Sequence, residues 1–179
     1  MKKRLFYIDG KSPAAVLSVL FMIAAAVIRI IYFWGREVGV LELFIHLYLV
    51  IAASCVFCLT VLFLGKKAPE LTSLSVLLGV IFFAVKAFTF DSKTHTYLCL
   101  LLYFAVLLIY CMTVFGIIKT KKLLYPLFLL PLLYHIFVED MQIYFLARPM
   151  PPFTEWLPEI SVLCIMAALF CVSFAIKRR

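Results

Sequence analysis

Three polar side chains share one face of an otherwise apolar stretch. His135, Glu139 and Gln142 stand at i, i+4 and i+7, a spacing that lines side chains up along one side of a helix. An imidazole beside a carboxylate can exchange a proton, hold a cationic or hydroxylated group, or ligate a metal. Asp140 adds a second carboxylate, and Tyr134 and Tyr144 flank the stripe. Pro126 and Pro131 precede it; each removes a backbone donor and bends a helix, freeing carbonyls a turn earlier. Glu42 and His46 repeat the carboxylate–imidazole pair at i, i+4 much earlier in the chain. Two such pairs on two helices outline a divalent-metal site of Glu42, His46, His135 and Glu139. They match no known metal signature, so a metal ranks below a polar binding pocket, and no cofactor is expected.

Arg29 and Lys86 are lone cations within apolar runs. Charge inside such a run is costly and by default marks function. With His46, His135, Glu139, Asp140 and Gln142 they form the candidate ligand-binding set: the two cations attract an anionic group, and the carboxylates and imidazoles hold a cationic or hydroxylated part. The competing explanation is that side chains near helix ends reach back to water, or that opposite charges pair to hold helices together. The first of these serves Arg29, Glu42, Lys86 and Glu159 better than His135 and Glu139, which lie about 16 Å and about 10 Å from the outer end of their stretch. Other chemistry finds little support. Cys55-Val56-Phe57-Cys58 is a C-x-x-C without nearby charge to activate a thiol. The chain has no glycine-rich phosphate loop, no G-x-S-x-G and no H-E-x-x-H.

The elements that position these groups follow from hydropathy. The chain has 179 residues, 66% hydrophobic and 15% charged, with a mean hydropathy of +1.15. A soluble domain keeps about 25% charged residues, so a bilayer is the solvent that suits this composition. Six apolar runs cover residues 13–34, 41–64, 71–90, 97–118, 123–146 and 157–176. Each is long enough to cross a hydrocarbon core of about 30 Å as a helix. None alternates with period 2, which excludes a β-barrel reading. The connections are short and force sequential antiparallel neighbours, and none can hold a soluble domain. The expected fold is therefore all-α: one integral membrane domain over residues 1–179, a six-helix bundle of sequential hairpins. Lys2–Arg4 followed by an apolar run and Ala24-Ala25-Ala26 resembles a signal peptide. The run continues through Trp34, too long for a signal core, so an uncleaved spanning segment is expected. A short similarity between residues 27–33 and 84–90 suggests tandem hairpins.

Twelve of the seventeen basic residues fall before the first run, between the second and third, between the fourth and fifth, and after the sixth. This bias places both termini inside, in what is expected to be a bacterial cytoplasmic membrane. The net charge of +8 is spread over these boundaries and suits anionic lipid better than nucleic acid, which is not expected as a partner. The six cysteines all sit in or at the ends of apolar runs and are expected mostly as buried thiols. The intramembrane charges crowd toward the outer half. Binding or transport of a small solute through an outward-facing polar pocket is thus expected ahead of two alternatives: a membrane-embedded enzyme acting on a lipid or peptide, and a non-catalytic sensor or partner subunit of another membrane protein.

Overall fold

Ser12 and Pro13 start the first long helix, α1 (Pro13–Phe33). The Ser12 hydroxyl accepts a hydrogen bond from the Ala15 N–H at 3.2 Å and donates to the Asp9 carbonyl at 2.8 Å. Pro13 brings a ready-set φ to a position whose N–H would have no helical partner. At the far end the chain turns through Gly35, whose φ of 71° is open only to a residue without a Cβ penalty. The computed structural model describes residues 6–74, 77–78, 81, 101, 104–105, 107–113, 117–119 and 153–178.

The second helix, α2 (Val40–Leu64), returns toward the start of α1. It contains two π-helical turns, Phe44–Tyr48 and Thr60–Leu64; across the first, the Leu49 N–H donates to the Phe44 carbonyl, five residues back. Each such turn widens the helix and shifts the face that follows it. The helix leads through Gly65 into a short 3-10 turn, Pro69–Thr72. The last helix, α3 (Phe153–Ala175), runs antiparallel to α1 and ends in a strand.

That strand, β2 (Ile176–Arg178), pairs antiparallel with β1 (Phe6–Ile8), in the register Phe6 with Arg178, Tyr7 with Lys177 and Ile8 with Ile176. The Ile8 N–H donates to the Gly65 carbonyl at 2.8 Å, and the Asp9 N–H to the Ala175 carbonyl at 2.9 Å. The start of α1 and the ends of α2 and α3 therefore meet at one end of the molecule. Two glycines make the junction close-fitting. A Cβ on Gly10 would sit 2.7 Å from the Val61 carbonyl oxygen, and one on Gly65 would sit 2.8 Å from Ile8.

The seam between α1 and α3 is built on small residues. Ser18 and Ala25 on α1, and Ser161, Ala168 and Ala175 on α3, are fully buried at seven-residue intervals. Small side chains at such spacing let helix backbones approach closely, which drives packing where lipid removes the hydrophobic incentive. Met22, Met166, Leu169 and Val172 fill the space between them. The outer faces, in contrast, expose Leu17, Leu20, Ile31, Leu59 and Phe63.

The protein is mostly helical, and α1, α2 and residues Trp156–Ala175 of α3 are long and apolar enough to cross a membrane. They coincide with the first, second and sixth apolar runs. The run at 123–146 lies outside the described residues, and the runs at 71–90 and 97–118 are described only in pieces. Two expectations are corrected. The last helix begins at Phe153 rather than at residue 157 and carries Pro158 inside it, where the missing N–H deprives the Thr154 carbonyl of its helical donor. The helix also ends before Ile176, which is drawn into the strand pair by the backbone partners that Phe6–Ile8 offer. The three-residue strands are an addition to the all-α expectation.

Candidate functional site

Buried hydroxyls show how this interior treats polar groups. Ser18 donates to the Ala15 carbonyl at 2.7 Å, Ser54 to Val50 at 2.8 Å, Thr60 to Phe57 at 3.0 Å, Thr113 to Ile109 at 2.8 Å and Ser173 to Phe170 at 2.6 Å. Each is satisfied one turn back on its own helix, the economical solution where water does not reach.

Arg29 departs from that pattern. It sits in the last third of α1, only 3% exposed, on the face turned to α3. Its Nε donates to the Ser161 hydroxyl at 3.2 Å and its Nη2 to the Pro158 carbonyl at 3.2 Å. The Ser161 hydroxyl in turn donates across the seam to the Ala25 carbonyl at 2.9 Å. The relay Arg29–Ser161–Ala25 fixes the plane of the guanidinium between two apolar helices, and the small Ser161 side chain makes the room. The sequence singles out Arg29 as an intramembrane charge; Ser161 carries no such signal, because a serine in an apolar run more often bonds its own helix.

His46 lies in the first π-helical turn of α2, partly exposed, and its ring stacks on that of Phe33 at 6.4 Å and 28°. Phe33 meets Tyr32 edge-on at 4.9 Å, and the Arg36 guanidinium sits 4.0 Å over the Tyr32 ring. Trp34 beside them is 82% exposed. Amphipathic rings and an arginine at one helix end are the composition of a membrane–water boundary. Glu42, one turn before His46, is exposed at the same end. The π-helical turn breaks the simple i, i+4 relation on which the Glu42–His46 pairing rests, since it inserts a residue into the phase of the helix.

Lys86, His135, Glu139, Asp140 and Gln142 lie outside the described residues, as do Pro126, Pro131 and the second copy of the short repeat. The backbone of Glu159 belongs to α3, while its side chain falls outside them. Of the candidate set, the structure therefore places Arg29 and His46, both on the half of the molecule opposite the strand pair. Among the described residues no group of three or more His, Cys, Asp or Glu could hold a metal ion; two of the four ligands of the metal alternative are not among them. Cys55, Cys58, Cys111, Cys164 and Cys171 are free thiols. None of these five is buried as expected: Cys55 is exposed, and Cys58, Cys111, Cys164 and Cys171 are half-buried on helix faces that lipid tails can solvate.

A second polar cluster, not anticipated from the sequence, sits near the opposite end. The buried Tyr110 hydroxyl donates to the Pro69 carbonyl at 2.6 Å and touches the Thr72 hydroxyl, which also donates to Pro69 at 2.6 Å. It ties the helical residues 107–113 to the 3-10 turn and has the character of a structural tie. At the strand pair itself the Lys177 ammonium donates to the Asp9 carboxylate at 2.5 Å. That bond holds the Asp9 carboxyl below its ordinary range and raises Lys177 above its own.

No family model, curated protein or solved structure matches the chain.

Proposed function

We propose that the chain is a multi-pass integral membrane protein that binds a small solute, and passes it across the bilayer, through a polar pocket open on the side opposite the strand pair. One observation carries this reading: Arg29, only 3% exposed, is held in an apolar helix seam. Keeping such a charge in a membrane interior is costly, and a fork of donors fixed in plane is suited to an anionic group. Lys86 adds a second cation for the same group, while His46, His135, Glu139, Asp140 and Gln142 complete the pocket around the rest of the solute.

The topology of the reading is six spans with both ends in the cytoplasm. Three features support it. The exposed apolar side chains along α1 and α2 need an apolar solvent. The β1–β2 pair puts residues 6–8 and 176–178 at one end of the molecule, which calls for an even number of crossings. Lys11, Lys66, Lys67, Lys177 and Arg178 collect at that same end, where the positive-inside rule wants them.

The test is a map of water access. Single cysteines replace His46, Lys86, His135, Glu139 and, as a lipid-facing control, Leu20 in a cysteine-free protein, and an impermeant thiol reagent is added from outside. Reaction at 46, 86, 135 and 139 with none at 20 is the expected result. Protection of 135 and 139 from the reagent would show that no pocket reaches them. The Arg29 clamp would then be a device for joining helices and nothing more.

A further inference from the structure

We propose that the end of the molecule carrying the strand pair is a docking face for anionic phospholipid, with lipid phosphate as the recognised group. The inference rests on the membrane reading above and is independent of the pocket. The strand pair gathers Lys11, Lys66, Lys67, Lys177 and Arg178, far apart in sequence, onto one face, and all five are exposed. Lys66 and Lys67 follow Gly65, whose carbonyl is bonded to Ile8; Lys177 and Arg178 stand opposite Tyr7 and Phe6; the Lys11 N–H donates to the Asp9 carboxylate at 3.3 Å. The carboxylates described at this end are Asp9, engaged by Lys177, and Glu70 on the 3-10 turn, so the face is strongly positive.

What commits the face to lipid rather than to a free anion is the apolar surface directly beyond it. Phe63, 72% exposed, and Leu62 precede Lys66 and Lys67 by a single turn, Phe174 precedes Lys177, and Val16 and Leu17 follow Lys11. Each cation thus stands at the end of an exposed apolar strip on a helix long enough to span a bilayer. A molecule with a phosphate at one end and acyl chains at the other satisfies both surfaces at once. Inorganic phosphate or a nucleic acid would use the charge and leave the apolar strips unmatched.

The experiment measures retention of phosphatidylglycerol by the purified full chain in detergent, by native mass spectrometry, against phosphatidylcholine. The wild type is compared with the variant Lys66→Gln/Lys67→Gln/Arg178→Gln. Phosphatidylglycerol should be retained in preference. Affinity should fall roughly a hundredfold in the variant, since each basic residue near an anionic surface contributes a factor of about five. Raising NaCl from low to high concentration should release the lipid from the wild type, an arm that stands even if the variant does not fold. Equal retention of phosphatidylcholine, salt-insensitive binding, or displacement of the lipid by inorganic phosphate at matched concentration would each overturn the proposal. None of these outcomes touches the pocket, whose own test is water access at positions 135 and 139.

Discussion

A guanidinium between two apolar helices is tolerated because its neighbours are shaped for it. Ser161 is small enough to admit the side chain and polar enough to pass its hydrogen bond on to the Ala25 carbonyl. Arg29→Ala should lower stability by about 1.5–3 kcal/mol, the usual range for a hydrogen bond to a charged group, read as a shift in detergent unfolding. Ser161→Ala should cost less, about 1 kcal/mol, as interhelical hydrogen bonds in membranes do. Arg29→Lys should recover little of the loss, because an ammonium cannot reach Ser161 and Pro158 in one plane. A different residue-scale prediction concerns the Asp9–Lys177 bond. The carboxyl of Asp9 is depressed in the folded protein, so its contribution is full above the unfolded value of about 4 and is lost as pH falls through the lower folded value. Lys177 is raised, so its share is full below about 10.4 and is lost as pH rises through the higher folded value. The expected observation is a plateau of strand-pair protection between these limits, measured by hydrogen exchange at Ile8 and Asp9 relative to intrinsic rates. In Asp9→Asn the additional loss of protection at acid pH should vanish.

At the scale of elements, the junction of β1, Gly65 and the end of α2 is the least forgiving part of the described structure. Gly10→Ala would drive a methyl into the Val61 carbonyl, and Gly65→Ala would drive one into Ile8. Each should destabilise by about 1–3 kcal/mol through forced backbone shifts, seen as a lower melting temperature in detergent, whereas Gly39→Ala, with nothing near its Cβ, should be close to neutral. Elements differ in how plainly the sequence announces them. Pro13 behind Ser12, and the unbroken apolar run to Trp34, specify α1 within a residue, since composition and capping act locally. Val40–Leu64 reads as one helix for the same reason, yet its two π-helical turns leave no trace in hydropathy. The strand pair is invisible to local reasoning: three residues at each end acquire extended geometry only because folding brings them together. Arg29 announces itself as a charge in an apolar run; Ser161, Tyr110 and Thr72 do not, because a hydroxyl gains significance only from its neighbour.

For the whole molecule, the described parts impose a rule of connection. Residues 6–8 and 176–178 are hydrogen-bonded to one another, Gly65 joins them there, and Phe153 begins α3 at the opposite end. If α1, α2 and α3 each cross the bilayer, the chain from Gly65 to Phe153 has to pass from one side to the other. The six-span arrangement expected from hydropathy obeys this rule, and any odd total breaks it. Lys11, Lys66, Lys67, Lys177 and Arg178 gather around the strand pair, and Arg29, Arg36 and His46 lie toward the other end.

Sidedness tests this account most directly. Single cysteines replacing Glu37, between α1 and α2, and Lys67 and Arg178, beside the strand pair, are each introduced into the cysteine-free protein and offered an impermeant maleimide on intact cells. The predicted result is labelling at position 37 from outside, and at 67 and 178 only after the membrane is opened. Labelling of 37 and 67 from the same side, or of 67 and 178 from opposite sides, would contradict it.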